Sequence, residues 1–464
     1  MKAMKKSLVL KDKKITVFGL KKSGKAAIEL LVSKGASVFA TEASSSIDPE
    51  TIIWLESMGV DFELGFHSER TYEDKDLIVI SPAVPKRIPV LLKAEENHIP
   101  IIGEIELAYQ FTESQFVAIT GTSGKSTTVE LTGHILRYHI APVYVCGNIG
   151  IPISEIVHRT NAATLVVEVS SFQLETIQEF SPHIAVFLNF SEDHLNRYNT
   201  MEEYFAAKLR IFENQTEQDF SILNGDQECL ANLNTGKAKK MLFSMKKKMN
   251  PGCWYNHDTD EAVLSVGCKE IRISLANMRL KGIHNKQNAI VSILASYLFL
   301  RDSFSVDLCQ KALRTFQGLP HRFEWVGRYN GIGFINDSKS TKPSTTIVAI
   351  HCMNEPFVLL LGGSDKESDF YELAKRISTH PYIKVVIVYG KTRKKIRAAL
   401  EEVGFKNYKV TPTFKSAFFE ALKKTKPNEF ILLSPGCASF DEFANFEERG
   451  NMFKKMIWRT LNQQ

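Results

Sequence analysis

The chain reads as an α/β protein of three units, each built on a mostly parallel sheet. Short apolar runs alternate with helix-length segments along its whole length, the pattern of strands buried on both faces by crossover helices. At 464 residues it exceeds what a single hydrophobic core usually holds. The alternation also restarts twice, near Gly103 and after Leu319-Pro320, so the expected domains are residues 1–103, 104–318 and 319–464.

In the first unit, residues 15–19 (ITVFG) predict a buried parallel strand, followed by a glycine turn and an amphipathic helix through Leu31. A second strand, 36–40, ends near Glu42, where an acidic residue of a dinucleotide-type unit would read a ribose. The glycine fingerprint is incomplete, because Lys21 stands where a second glycine belongs. Residues 77–81 (LIVIS) form a further strand that runs into a loop with Pro82 and Pro85.

The second unit opens with a helix at Glu104. The run 116–119 (FVAI) then reads as a strand that empties into a loop carrying Gly121, Gly124, Lys125 and Ser126, with a helix from Thr127. A strand, glycine loop and helix in this order stack backbone N–H groups over a helix N-terminus, where phosphate binds. Lys125 can reach the β- and γ-phosphates, and the Ser126 or Thr127 hydroxyl can ligate Mg²⁺. The usual spacing would need glycine at 119, where this chain has Ile119, so the loop is a shortened relative of the common phosphate loop. Strands at 164–169, 184–188 and 220–224 follow, and 290–300 suits a buried helix. In the third unit the strands are 333–336, 357–361, 384–389 and 430–434.

Composition excludes several classes. With 44% hydrophobic and 24% charged residues, the chain is an ordinary globular one. A net charge of +6 is modest, and the short basic runs at 246–248 and 391–395 lack interleaved aromatic residues, so they read as solvated faces rather than a nucleic-acid groove. Seven scattered cysteines without a C-x-x-C pair read as reduced thiols. The N-terminus does not resemble a secretion signal, and 290–300 is too short to span a bilayer. A cytoplasmic monomer acting on anionic small molecules is expected.

Candidate chemical residues lie where strands give way to loops, the edge at which open α/β sheets bind ligands. Glu168 ends an apolar strand and could hold Mg²⁺ or cap the next helix. His194 lies in a loop with Glu192 and Asp193. Lys208, in MEEYFAAKLRIFEN, falls within the apolar stripe of a helix. It could snorkel to solvent, or be held inward, where burial favours a neutral amine able to take up CO₂ as a carbamate. Asn288, Arg322, Asp337 and Lys339 suit nucleotide contacts, although His321 and Arg322 could equally form an interdomain ion pair.

Taken in order, the blocks GTSGKST, GNIG, VEVSSFQLE, NFSEDHLNRY, AAKLRIF, GIHNKQNA, GLPHRFE, NDSKST, LLLGGSDK and SPGCASFDEF resemble the Mur ligases, most closely the D-glutamate-adding branch. The resemblance implies a Rossmann-like N-terminal unit for the uridine diphosphate, a central P-loop-type ATPase and a Rossmann-like C-terminal unit. It implies ATP-dependent addition of D-glutamate to UDP-N-acetylmuramoyl-L-alanine through an acyl phosphate, a step of peptidoglycan synthesis. By this resemblance, ATP is held by Gly121, Thr122, Ser123, Gly124, Lys125, Ser126, Thr127, Asn288, Arg322, Asp337 and Lys339. Two Mg²⁺ ions are held by Ser126, Glu168, His194 and a carbamylated Lys208, which with Lys125 make up the catalytic set. Leu20, Ser23, Glu42, Asn148, Ser170 and Gln173 match contacts to the uridine and muramoyl parts, and Thr341, Lys366, Ser439, Phe440 and Phe446 match the D-glutamate pocket.

Some positions depart from the family pattern: Lys21 replaces a glycine, Glu42 an aspartate, Ser123 and Lys342 asparagines, and Phe440 a leucine. Sister ligases that add diaminopimelate or lysine would carry a DNPR-type signature, which is absent here. The other Mur ligases and folylpolyglutamate synthase are the nearest alternatives. A nucleotide-gated binding protein would not need the full set of Lys125, Glu168, His194, Lys208 and Lys366, and a nicotinamide dehydrogenase would need the intact glycine fingerprint.

Overall fold

The computed structural model describes residues 8–160, 162–192, 197–280, 282–364 and 368–461. Two compact units form, Met1–Arg279 with Ile283–Phe316, and Leu280–Gly282 with Gln317–Gln464. The first contains two sheets and the second contains one.

The first sheet consists of β1 (Lys14–Phe18), β2 (Ser37–Glu42), β3 (Asp61–Leu64), β4 (Leu77–Ile80) and β5 (Ile101–Gly103), all parallel, in the order β3-β2-β1-β4-β5. Helices on both faces bury β4 and all of β1 after Lys14, and β4 (LIVI) is an unbroken apolar run. The turn after β1 needs glycine at two places. Gly19 has φ +89°, and a Cβ on Gly24 would lie 1.7 Å from the Gly19 carbonyl oxygen, so the helix Lys22–Ser33 approaches the strand end only without a side chain there. Lys21 has φ −79° and is exposed. Nothing in the backbone calls for glycine at 21, which explains how the incomplete fingerprint still makes the turn.

The second sheet holds β6 (Gln115–Thr120), β7 (Val143–Gly147), β8 (Thr164–Glu168), β9 (Ile184–Phe187), β10 (Phe220–Asn224), β11 (Lys239–Ser244), β12 (Gly252–Asn256), β13 (Glu261–Val266) and β14 (Lys269–Ser274). Their order is β14-β13-β12-β11-β10-β9-β6-β8-β7, parallel from β7 to β12 and antiparallel through β13 and β14. The antiparallel hairpins were not evident as strands from sequence. β14 (KEIRIS) exposes half of its residues and alternates polar with apolar, so it carries no continuous apolar run. β6 lies between β8 and β9, and its Val117, Ala118 and Ile119 are fully buried. Beneath it, the rings of Tyr109, Phe116 and Phe180 meet edge to face at 5.5–5.6 Å, contacts worth about 0.5–1.5 kcal/mol each beyond their burial. The helix Ile283–Leu300 packs against the helix Lys125–Arg137, and the expected buried segment 290–300 forms its C-terminal part.

The helix Glu104–Gln110, which links the first two sheets, is held by buried polar contacts. The Ser154 N–H donates to Glu104 Oε1 at 2.6 Å, and the N–H groups of Gln178, Glu179 and Phe180 donate to the Glu106 carboxylate. The Glu106 carboxylate is thus anchored by backbone donors despite being almost fully buried.

The third sheet comprises β15 (Glu324–Tyr329), β16 (Ile332–Asn336), β17 (Phe357–Gly362), β18 (Ile383–Tyr389), β19 (Tyr408–Val410) and β20 (Phe430–Leu433), ordered β15-β16-β20-β17-β18-β19. All neighbours are parallel except the β15–β16 hairpin. All seven cysteines are free thiols, and among the described residues no helix is long and apolar enough to cross a membrane.

Candidate active site

Three adjacent strands of the second sheet, β8, β6 and β9, end side by side. Ile119 pairs with Glu168 and Thr120 with Phe187, so the loops that begin at Gly121, Val169 and Leu188 emerge together. β6 is also where the chain changes direction in the sheet, the place at which open α/β sheets bind ligands.

Gly124 adopts φ +79° immediately before the helix Lys125–Arg137, and a Cβ there would meet Asn288 Oδ1 at 2.9 Å. The loop therefore requires glycine for both conformation and space. Gly124, at the N-cap, supplies no side chain to cap this helix, so its first N–H groups and dipole are presented at the loop, as in anion sites. Lys125 Nζ folds back to donate to the Gly121 and Thr122 carbonyls, both at 2.9 Å. Ser126 and Thr127 are buried in the first turn. Asn288 lies behind the loop, its Oδ1 accepting from the Thr128 hydroxyl at 3.2 Å.

Lys208 is held inward, as its place in the apolar stripe allows. The helix Met201–Leu209 leaves it only 2% exposed, with Nζ over the Tyr204 ring and donating to the Gly121 carbonyl at 2.9 Å. Lys125 and Lys208 thus both donate to one carbonyl oxygen, that of Gly121. Glu168 is 3% exposed; its Oε1 accepts from Asn148 Nδ2 at 2.8 Å. Glu168 Oε2 is buried with no hydrogen-bond partner among the described residues. A buried carboxylate oxygen left without a donor fits a cation ligand. His194 lies outside the described residues.

Asn189 and Ser191, just after β9, hydrogen-bond this loop. Arg197, downstream, donates to the Pro82 and Val84 carbonyls of the first sheet's edge and to Glu175, and covers the Phe172 ring with its guanidinium 4.2 Å from the ring centroid. Tyr198 Oη donates to the other Glu175 oxygen at 2.5 Å. Ser170 and Gln173 form a capping box on the helix Ser171–Leu174, in which Gln173 Oε1 accepts from the Ser170 N–H and hydroxyl. In the first sheet, Glu42 accepts from the N–H groups of Leu20 at 3.0 Å and Ser44 at 3.2 Å, so it ties the strand end to the glycine turn; Ser23 sits in the first turn of the following helix.

In the other unit, β16, β20 and β17 end together, with Asn336 paired to Leu433 and Leu433 to Leu360. Asp337 follows β16 and is buried; it accepts from the hydroxyls of Ser340 at 2.5 Å and Ser434 at 2.7 Å and from the Phe323 N–H at 3.0 Å. Burial nevertheless pushes its carboxyl up to about 6, against which these donors and the Arg322 charge act. His321 is also buried, in a left-handed backbone conformation, with Nδ1 2.9 Å from Asn336 Nδ2, and burial lowers its pKa. Lys339 Nζ lies over the Phe446 ring, and the Thr341 N–H donates to the Lys339 carbonyl. Ser439 is buried, Phe440 is 66% exposed and Phe446 begins the helix Phe446–Leu461. Lys366 lies outside the described residues.

Residues 119–296 match the Mur ligase middle domain, residues 321–437 match the Mur ligase glutamate ligase domain, and residues 13–103 match the MurD-like N-terminal domain of Mur ligases. The chain belongs to the Mur ligase family. Among its Mur ligase relatives, the UDP-N-acetylmuramoylalanine--D-glutamate ligase of Pelotomaculum thermopropionicum is 39% identical, covering 97% of this chain and 99% of that protein. The ligases of the same name from Thermoanaerobacter pseudethanolicus and Clostridioides difficile are 38% and 36% identical, each over 97% of this chain. Among solved Mur ligases, UDP-N-acetylmuramate-alanine ligase from Thermotoga maritima is 19% identical and superposes with a TM-score of 0.59 over 97% of this chain and all of the other. MurF ligase from the same organism, in complex with ADP, gives 0.57 at 15% identity over 99% and 97% of the two chains.

Two residues of this Mur ligase were not singled out from sequence. Asn189 hydrogen-bonds the phosphate loop, and Arg449 is fully buried, donating to the carbonyls of Ser338, Cys437 and Ala438 and to the Ser338 hydroxyl. Arg449 thereby ties together the loops after β16 and β20. The acidic neighbours in NFEERG suggest a solvated helix face, and only the spacing from Phe446, three positions away on the helix, hinted at an inward one.

Proposed function

We infer that this chain is an ATP-dependent ligase that adds D-glutamate to UDP-N-acetylmuramoyl-L-alanine, giving ADP and phosphate. Full-length similarity to ligases of that name, at 36–39% identity, carries the inference. A carboxylate resists amines until one of its oxygens becomes a good leaving group. The alanyl carboxylate attacks the γ-phosphorus and ADP departs. The D-glutamate amine then attacks the acyl carbon, and phosphate leaves with one oxygen of the original carboxylate.

The residues divide this work. The N–H groups at the start of the helix Lys125–Arg137 and the Lys125 ammonium bind and orient the polyphosphate. Ser126, Glu168, His194 and a carbamylated Lys208 hold Mg²⁺, and the uncapped, buried Glu168 Oε2 supports that assignment. Bound there, Mg²⁺ supplies positive charge against the repulsion between the phosphate and the attacking carboxylate. Leu20, Ser23 and Glu42 take the uridine diphosphate, and Asn148, Ser170 and Gln173 the muramoyl part. Asn288, Arg322, Asp337 and Lys339 contact the nucleotide, while Thr341, Lys366, Ser439, Phe440 and Phe446 receive D-glutamate. The domains are 1–103, 104–318 and 319–464, working as a cytoplasmic monomer.

The acyl phosphate is tested by labelling the alanyl carboxylate of the substrate with ¹⁸O. One labelled oxygen in the released phosphate is expected, and phosphate without label would overturn the mechanism.

A further inference from the structure

We propose that Asn189 is a positioning residue that decides which backbone amides of the phosphate loop are open to nucleotide. The proposal rests on the nucleotide-binding reading of that loop. Asn189 directly follows Leu188 at the end of β9, and its side-chain amide is used at both ends. Its Oδ1 accepts from the N–H groups of Thr122 at 3.1 Å and Ser123 at 2.8 Å, and Nδ2 donates to the Ser123 carbonyl at 3.1 Å. The Asn189 backbone carbonyl accepts a second time from the Thr122 N–H at 3.0 Å. Two residues on, Ser191 closes the seam: its N–H donates to Thr122 Oγ1 at 3.1 Å, and that hydroxyl lies 3.2 Å from the Ser191 carbonyl it donates to.

The loop is therefore split. Its first half, 121–123, is fastened to 189–191, while its second half begins at Gly124, which brings no capping side chain to the helix start that follows. Phosphate oxygens then find donors at Gly124 and in the first turn of the helix. The Thr122 and Ser123 amides, which the sequence pattern alone offers to phosphate, are already occupied by Asn189. A neutral amide suits this position because it accepts two N–H groups, donates to a carbonyl and brings no charge toward the phosphates.

An aspartate separates the proposed role from simple structural support. It is isosteric and still accepts both N–H groups; it gives up the bond to the Ser123 carbonyl, as alanine also does, and in addition sets a negative charge beside the polyphosphate. In Asn189→Asp, MgADP affinity measured by calorimetry on the full chain is expected to fall on the order of 100-fold, a loss that shrinks as salt rises. In Asn189→Ala, where the loop loses its anchor without gaining charge, a loss of roughly 10-fold is expected. Affinity for UDP-N-acetylmuramoyl-L-alanine should stay unchanged in both. Unchanged ADP binding in Asn189→Asp would overturn the proposal, as would equal losses for both ligands in the two variants, which mark a merely structural residue. Failure of the unmodified protein to bind MgADP would instead overturn the nucleotide reading itself.

Discussion

Replacing Asp337 by asparagine should change the pH dependence of stability in a calculable way. The carboxyl rises from 3.8 to about 6 because it is buried. At about 1.36 kcal/mol per pKa unit, the folded protein spends roughly 3 kcal/mol to hold the ionised form at neutral pH. A raised folded pKa favours the protonated state on folding. Its stabilising contribution is complete below 3.8 and is lost as pH climbs through about 6. Asparagine cannot titrate, keeps an oxygen for the Phe323 N–H, and meets the Ser340 and Ser434 hydroxyls, which can turn to accept. The stability of Asp337→Asn relative to the unmodified protein should therefore improve by on the order of 1 kcal/mol between pH 5 and pH 8. Urea unfolding of the full chain, followed through the transition of the unit that contains Trp325 and Trp458, measures this difference. A difference that stays constant, or falls with pH, would refute the reasoning.

Two further predictions concern the first unit. Lys208→Ala should abolish ligation, with partial restoration by added short-chain carboxylates, and ¹³C-bicarbonate should give a carbamate signal in the unmodified protein that the variant lacks; a variant of normal activity removes the carbamate. Arg197→Ala deletes a largely buried ion pair to Glu175, two carbonyl bonds and a contact over Phe172, and should destabilise the first unit by about 2–3 kcal/mol in thermal or urea unfolding. Arg197→Lys should recover only a minor part, since a single ammonium cannot span these partners.

What could be read from sequence is what short stretches specify by themselves. The FVAI run, Gly124 and Lys125 define strand, turn and helix within a few residues, and the strand observed is Gln115–Thr120. Helix periodicity placed Lys208 on the apolar stripe but left open whether its amine points to solvent or inward, and the structure buries it. Glu168 was readable as the end of β8, whereas its orphaned oxygen depends on what surrounds it. Asn189 was not readable. Its partners Thr122 and Ser123 are 67 and 66 residues away in sequence, and they meet it only because β9 pairs with β6. Among the hairpin strands, β14 escaped for a different reason, since it is half exposed and has no apolar run, although Asp260 and Gly267, both with positive φ, mark the turns of β12–β14. Lys21 was read as a gap in the dinucleotide fingerprint, and the backbone at that position requires no glycine to make the turn.

The most direct measurement is amide-bond formation with UDP-N-acetylmuramoyl-L-alanine and ATP, offering D-glutamate, L-glutamate, L-alanine, L-lysine and diaminopimelate in separate reactions. Product mass and phosphate release are read together. D-glutamate alone is predicted to give one new amide bond for each phosphate released. Product with another amino acid in preference to D-glutamate, or phosphate release with none of them, would contradict the account.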